Sequence, residues 1–238
     1  MGFSGAQAMT IRTSAILSAG LLLIAAHASA QDAGYGYAYS PNGDSNLPAF
    51  AGLRGSISMN STIHTSVAAG TIPLRGSLSM SGGGSIYAGV RLPLGFRAEL
   101  EGVYRYQPLK SLTISGVPVS ATGQMHLAGP MLNVMWDIPV PDFPFRPYVG
   151  LGIGGLYTDL TAKSGGVKVI DGSKWNVSYQ AIAGAEFPLS QSSRLTADYR
   201  WLQVHQARMQ CTAAPLAAQS CRANINTQSV DLGLEFDL

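Results

Sequence analysis

The chain has 238 residues, of which 46% are hydrophobic and only 12% are charged, and its formal net charge is +2. A water-soluble domain usually carries about 25% charged residues, so this composition argues against an ordinary soluble globular protein. The near-neutral charge argues against a nucleic-acid partner. The 28 glycines and 13 prolines favour an all-β chain with many turns.

The first 30 residues predict an export signal. Arg12 supplies the positive charge, residues 15–26 supply an apolar segment, and residues 28–30 (Ala-Ser-Ala) supply the small side chains that signal peptidase requires. Met9 is an alternative start that leaves a signal of more usual length. The apolar run is shorter than the roughly 20 residues of a membrane-spanning helix, so we expect cleavage after Ala30.

Residues 31–47 predict a short flexible periplasmic lead-in, and 48–238 predict a single β domain. From 96 to 106 every second residue is apolar and the residues between are nearly all charged, and the same rhythm closes the chain at 230–238. Such alternation is typical of a strand with one apolar and one ionic face. The eight predicted strands are 48–59, 82–92, 96–106, 124–138, 146–158, 174–187, 194–205 and 228–238.

The connections between these strands alternate in length. Three are short, namely 93–95, 139–145 and 188–193. Four are long, namely 60–81, 107–123, 159–173 and 206–227. Short turns at one end and long loops at the other, together with too few charges to solvate a soluble exterior, are typical of an outer-membrane barrel whose apolar faces point into lipid. We therefore predict an all-β, eight-stranded antiparallel transmembrane up-and-down β-barrel.

A near-repeat complicates the first strand. Residues 53–59 (LRGSISM) recur as residues 74–80 (LRGSLSM) inside the first long connection. The second copy either extends a hairpin there or competes with the first copy for the register of the first strand. Ten strands therefore stay open as a minor alternative.

Outward aromatic residues fall into two rows, which is typical of the two headgroup regions of a bilayer. The row near the short turns contains Phe96, Trp136, Phe187 and Phe236. The row near the long loops contains Tyr104, Tyr106, Tyr157, Trp175 and Trp201.

The inward charged residues carry both signs and predict an ion network that closes the lumen, because an eight-stranded barrel is only wide enough for its own side chains and charges there persist only when paired. Glycines at 150, 152 and 154 are expected to leave room for long arginines. The predicted network consists of Arg54, Arg91, Arg97, Glu99, Glu101, Arg105, Asp137, Arg146, Glu186, Asp198, Arg200, Asp231, Glu235 and Asp237.

Two cysteines, Cys211 and Cys221, lie in one polar, Ala-rich segment. Export into an oxidising compartment favours a disulfide between them, and two free thiols are the alternative. Closing this ring removes about 2.8 kcal/mol of unfolded-chain entropy. A metal site is not expected, since no histidine lies at zinc-ligand spacing from the pair.

Three segments resemble a known family. Residues 146–154 (RPYVGLGIG) look like the fifth-strand motif of small outer-membrane barrels related to opacity proteins. Residues 183–189 followed by 194–201 resemble the next hairpin of that family, and 96–101 (FRAELE) is similar to its third strand. The resemblance implies an eight-stranded, surface-exposed barrel of a Gram-negative outer membrane, serving as a surface antigen, envelope stabiliser or adhesin and not as an enzyme.

The chain departs from that family's pattern at its end. Such barrels usually end in Phe, which the insertion machinery reads, whereas this chain ends in Leu238 with Phe236 two places earlier. We expect this to affect the efficiency of assembly and not the fold. Because the sequence stops at the last strand, a peptidoglycan-binding domain like that of the larger outer-membrane protein A relatives is not expected.

Loop cations suggest a partner. An excess of cations at the outer surface would attract the phosphates of lipopolysaccharide, although simple solvated loop charges with no specific ligand explain them equally well. Connection 206–227 is the best candidate for a defined binding surface, with any host ligand unknown. The cations are Arg75, Lys110, Lys163, Lys168, Arg208 and Arg222.

An enzyme and a pore are the alternative functions. The segment around His205 superficially resembles a strand of lipid A deacylases, but Ala207 stands where the nucleophilic serine should be. His64 and His126 have no acidic or nucleophilic partner nearby in sequence. We therefore expect neither catalysis nor a cofactor. A small-solute porin is the other alternative, and the filled lumen argues against it.

Overall fold

The computed structural model describes residues 48–59, 61–67, 74–114, 117–141, 144–164, 167–211 and 219–238. The predicted signal peptide and lead-in lie outside these residues. Within them, no helix is both long and apolar enough to cross a membrane.

The described residues form one antiparallel sheet with a single 3-10 turn at Pro93–Gly95. The strands are β1 (Ala49–Ser58), β2 (Ser61–Val67), β3 (Leu74–Leu78), β4 (Ser81–Arg91), β5 (Phe96–Ile114), β6 (Val117–Val119), β7 (Thr122–Asp137), β8 (Arg146–Ser164), β9 (Val167–Pro188), β10 (Ser193–Cys211) and β11 (Gln219–Asp237).

Pairing of the first strands with the last closes the barrel. β1 and β2 follow one another along β11, and β4 and β3 follow one another along β5. Each of these pairs therefore crosses the barrel as one strand, so that eight strands span it. The predicted eight-stranded antiparallel barrel is confirmed, and the ten-strand alternative is excluded.

The near-repeat builds the first hairpin. Its first copy lies in β1 and its second begins in β3, where Leu78 is the register partner of Ser61 on β2. The second copy thus extends the hairpin instead of competing for the register. Along β11 the partners shift from Ser58–Ser229 to Thr62–Asn226, four residues against three, which is the signature of a β-bulge.

The strands run much further than predicted at one end. At the end with the short turns, observed and predicted boundaries agree closely. At the other, which we call the extended end, β5 reaches Ile114, β8 reaches Ser164 and β10 reaches Cys211. The prediction of four long loops was wrong in this respect, because much of 107–123, 159–173 and 206–227 is β ladder.

The reason is that the polarity of the strands inverts along their length. On the outer side of β11 the residues change from apolar near the short turns to polar near the extended end: Val230, Leu232, Leu234 and Phe236 give way to Asn224, Asn226 and Gln228. On its inner side the change is opposite: Asp231 and Glu235 give way to Ala223 and Ile225. A predicted strand in which every outward residue is apolar therefore ends at this level, although β11 itself continues.

The inversion lies at the same level on other strands. On β10 the inward series passes from Asp198 and Arg200 to Leu202 and Val204, all buried. On β8 the outward Tyr157 precedes Asp159, while Leu156 and Leu160 are buried inside. The predicted aromatic row of Tyr104, Tyr157 and Trp175 lies at this boundary in register. Hydrocarbon therefore surrounds the strands below the row, and water surrounds them above it.

The inversion predicts that the same substitution costs different amounts of unfolding free energy at two positions on one face of β11. Leu232→Arg places a cation in the apolar band, where it should cost about 2–4 kcal/mol of unfolding free energy. Gln228→Arg, four residues away on the same face, should cost about 0–1 kcal/mol because it lies at the boundary. Urea unfolding in lipid, followed by heat-modifiable gel mobility, measures both. Equal destabilisation by the two variants would contradict the assigned boundary.

Candidate functional site in the barrel lumen

Glu101 on β5 is the central acceptor of the lumen. Its carboxylate accepts hydrogen bonds from Arg200 Nη1 at 2.7 and 2.8 Å, from Asn133 Nδ2 at 2.9 Å and from Gln180 Nε2 at 3.1 Å. Arg200 in turn reaches Asp198 Oδ2 at 2.9 Å. Four strands thus converge on one buried carboxylate, which ties opposite walls of the barrel together.

A second centre surrounds Arg54 on β1. Its guanidinium donates to both oxygens of Glu99, at 2.9 and 2.7 Å, and its Nε lies 3.2 Å from Asp198 Oδ2. The same guanidinium stacks on the ring of Tyr87, 3.4 Å from the centroid. This bidentate and stacked geometry is the one for which arginine is suited and lysine is not.

A third cluster fills the short-turn end. Arg97 lies 2.8 Å from Asp137 and 3.0 Å from Glu186, and its guanidinium lies 4.5 Å from the ring centroid of Tyr148. Arg194 contacts the other oxygen of Glu186 at 2.8 Å. Short contacts of Arg91 with Glu235, of Arg194 with Asp237 and of Tyr148 with Asp198 complete the cluster.

The structure places the sequence-predicted residues as follows. Those fully enclosed in the lumen are Arg54, Arg97, Glu99, Glu101, Arg105, Asp137, Glu186, Asp198, Arg200, Asp231 and Glu235. Those half-buried at the short-turn end are Arg91, Arg146 and Asp237.

Sequence reasoning missed three members of the network. Arg194 has the same parity as Asp198 and Arg200, so the strand alternation could have found it. Asn133 and Gln180 are neutral, so a prediction based on charged inward residues could not include them. They nevertheless lie at the centre, where Gln180 Nε2 donates to Asn133 Oδ1 at 2.6 Å.

The inward glycines of β8 make room for different side chains than predicted. A Cβ at Gly152 would lie 2.1 Å from Asn133 Oδ1, and one at Gly150 or Gly154 would collide with the side chain of Met135 or Met131. The expectation that these glycines accommodate arginines was wrong. Gly233 on β11 has that role, because a Cβ there would lie 2.6 Å from Cγ of Arg54.

Arg105 is the charged residue nearest the extended end of the network. It is buried, and the acid it contacts is Asp231, with 3.5 Å between Nη2 and Oδ2. Its Nε and Nη1 have no hydrogen-bond partner within the described residues. Beyond it the buried side chains are mainly apolar, with Gln107 among them, so Arg105 marks the transition between two kinds of filling.

The second filling is a cluster that we call the apolar cap. Its members come from six of the eleven strands and are all buried. They are Leu78, Val103, Met125, Leu127, Met131, Leu156, Leu160, Ala162, Leu202, Val204, Ala223 and Ile225. Among the described residues, this packed apolar cluster is an unfavourable surrounding for a hydrated ion. The barrel is therefore filled by two successive layers of opposite chemistry.

The other candidate residues lie outside the lumen. Lys110 and Lys163 are exposed near the extended end. The side chains of Arg75, Lys168, Arg208 and Arg222 lie outside the described residues, as do those of His64 and both cysteines. The backbone register pairs Cys221 with Met209 and Cys211 with Gln219. The cysteines are thus two positions apart on one face, and the disulfide stays a prediction.

The histidines that can be placed face outward. His205 is exposed on β10. His126 on β7 lies opposite Tyr106 on β5 and opposite Asp159 on β8. Tyr104 Oη lies 3.1 Å from His126 Nδ1. This acid and these tyrosines, far away in sequence, are neighbours that sequence reasoning did not find for His126.

Comparison with known proteins agrees with this architecture. Residues 15–236 match the family described as outer membrane protein beta-barrel domain. The chain belongs to this family. It is an outer-membrane β-barrel protein of the Gram-negative cell envelope.

Individual relatives show the same class. A protein of Gluconacetobacter diazotrophicus described as outer membrane protein is 32% identical over 117 residues, which cover 44% of this chain and 31% of the relative. The chain thus spans about a third of that relative's length. The crystal structure of outer membrane protein OprG from Pseudomonas aeruginosa has a TM-score of 0.58 and 9% identity, over 81% of this chain and 96% of OprG.

Outer membrane protease OmpT from Escherichia coli has the same general fold, with a TM-score of 0.50 and 6% identity over 80% of this chain and 97% of OmpT. At such low identity the likeness concerns the fold alone. The family match over residues 15–236 confirms the membership of the outer-membrane β-barrels that the sequence predicted.

Removing one centre of the ion network should destabilise the barrel strongly. Arg200→Met removes the arginine that donates two hydrogen bonds to Glu101 and contacts Asp198, and it leaves Arg54 as the remaining arginine near both acids. The loss should cost about 3–5 kcal/mol of unfolding free energy. Tyr199→Phe, the adjacent outward residue, should change it by less than about 0.5 kcal/mol. Urea unfolding of the refolded barrels measures the difference. If Arg200→Met unfolds at the wild-type urea concentration, the network does not hold the barrel together.

Proposed function

We propose that this protein is a structural and recognition barrel of the outer membrane, a surface antigen or adhesin-like envelope protein with a closed lumen, and not an enzyme. The observation that carries the proposal is the filling of the lumen, by the ion network toward the short turns and by the apolar cap beyond it. A barrel that conducts nothing acts through its outer surface. That surface is the extended end, which stands beyond the bilayer.

The proposed partners follow from that orientation. In bacterial barrels the short turns lie in the periplasm, so the extended end faces the cell exterior. Lys110 and Lys163 are exposed there and fit the phosphates of lipopolysaccharide, which form the surface of the outer leaflet. The insertion machinery is the expected partner during assembly. A host or surface ligand is the expected partner of the connections at the extended end. No described group of side chains suggests a catalytic centre or a cofactor site.

A porin is the competing function, and electrical conductance separates the two. The folded wild-type barrel should give no conductance steps in a planar bilayer. Arg54→Gln combined with Glu99→Gln neutralises a buried ion pair at similar size and should also stay closed, because the apolar cap still blocks the lumen. Heat-modifiable mobility shows that the variant is folded. Conductance steps from the wild-type barrel would support the porin function. Conductance steps from the variant alone would show that the apolar cap does not block the lumen.

The orientation has a direct test, because every lysine of the chain, at 110, 163, 168 and 174, belongs to the extended end. A membrane-impermeant amine reagent should label the barrel on intact cells. The matched control replaces all four lysines by Arg and adds Leu94→Lys in the exposed short turn. This control should be labelled at position 94 only after permeabilisation. The reverse pattern would place the extended end in the periplasm and overturn the proposal.

A further inference from the structure

The lipid-facing surface carries one polar cluster at the membrane boundary that the lumen does not explain. It consists of Tyr104 and Tyr106 on β5 and His126 on β7, all with outward side chains. The Tyr104 hydroxyl lies 3.1 Å from His126 Nδ1, and the rings of Tyr106 and His126 have centroids 5.0 Å apart. Tyr104 and Tyr106 are 50% and 36% exposed. We call these three residues the boundary cluster.

Its depth identifies the chemistry that it meets. Tyr104 lies in the aromatic row at which the strands change from apolar-out to polar-out, in register with Tyr157 and Trp175. His126 is the first polar outward residue above that row on β7, since Ala128 precedes it toward the short turns. The cluster therefore stands at the level of lipid headgroups, with hydrocarbon below and water above.

The hydrogen-bonding groups suit an anion. In the tautomer in which the Tyr104 hydroxyl donates to Nδ1, His126 carries its proton on Nε2 and can donate it to an external acceptor. The Tyr106 hydroxyl is a second donor beside it. These two donors, which lie side by side at headgroup depth, fit a phosphate oxygen. Lys163 is exposed two outward positions beyond Asp159 on β8, and it supplies a cation about 13 Å farther along the strand.

One acid faces the cluster among the described residues. Asp159 is the cross-strand partner of His126 and is half-buried. A carboxylate repels a phosphate that has no counter-ion. A Mg²⁺ ion, however, is commonly held by one carboxylate together with phosphates and waters. Asp159 is therefore compatible with a phosphate ligand when a divalent cation is present.

We propose that the boundary cluster binds a phosphate of lipid A in the outer leaflet. The inference rests on the proposed orientation and deepens it, because it moves lipopolysaccharide recognition from the hairpin tips to the rigid strand faces of β5, β7 and β8. The hydroxyl–imidazole pair holds the donor in place, and Lys163 reaches the more distant anionic groups.

Native mass spectrometry of the purified, refolded full chain in Mg²⁺-containing detergent solution tests the site. The probes are diphosphoryl lipid A, phosphatidylglycerol and phosphatidylcholine, each added separately. Wild type should retain lipid A at least about tenfold more tightly than phosphatidylcholine. His126→Ala should weaken lipid A binding about tenfold, the effect of losing one hydrogen bond to a charged group. Tyr104→Phe should weaken it to a similar extent, because the imidazole that it orients through Nδ1 is released.

Two controls match these variants. Tyr199→Phe removes the hydroxyl of another outward tyrosine, 43% exposed, on β10. Gln228→Ala changes a polar outward residue near the boundary on β11. Both should bind lipid A like wild type. Equal loss in the controls, no loss in the two variants, or equal retention of phosphatidylglycerol would each overturn the proposal. Lysine labelling on intact cells is independent of this assay, so a failed site and a failed orientation can be told apart.

Discussion

The width of the lumen constrains everything inside this barrel. Eight strands leave room for side chains and little else, so each inward charge must be neutralised by another inward residue. Glu101 satisfies this condition with Arg200, Asn133 and Gln180, and Arg54 satisfies it with Glu99 and Asp198. These contacts join residues far apart in sequence, such as Glu101 and Arg200 at 99 positions, so they form only when the barrel closes.

Two different solvents explain why the filling changes along the barrel axis. Where hydrocarbon surrounds the strands, apolar residues such as Leu232 and Leu151 are already out of water on the outer face. Moving them into the lumen would bring no hydrophobic free energy, so the interior can be ionic. Where water surrounds them, the ladder needs an apolar interior to be stable, as in any soluble β-barrel. Leu202, Val204 and Ile225 supply that interior immediately beyond Arg200 and Asp231. The same strands thus fold under two driving forces that meet at the aromatic row.

Strands could be predicted from the sequence where hydrocarbon alone surrounds them, since the outward residues there are apolar and the inward residues are ionic. The alternation at 96–106 predicted the strand, its outward face and its inward charges, because charge and parity both point to the same side. The alternation continues through Leu202, Gln203, Val204 and His205 with the opposite sense, and the predicted strand ended at 205, whereas β10 continues to Cys211. Neutral lumen residues such as Asn133 could not be found in this way, because only packing distinguishes them from surface amides.

Contacts between distant strands were equally hidden. Tyr104 and His126 are 22 positions apart, and nothing in either segment indicates that the register of β5 and β7 brings them within hydrogen-bonding distance. The glycines of β8 were recognised as space, but which side chain fills that space depends on the stagger of the neighbouring strands.

Extension of the β ladder beyond the membrane also changes how this surface can recognise a partner. Segments predicted as long loops are largely paired strands, so the side chains of Asp159 and Lys163, like that of His126 in its predicted strand, project from a sheet. A ligand that binds a preformed sheet face does not have to order a loop first, which removes an entropic cost of roughly 0.5–1.5 kcal/mol for each side chain otherwise immobilised. The apolar cap keeps that face in place from within. Stability of the extended end and recognition at its surface therefore depend on the same inward residues.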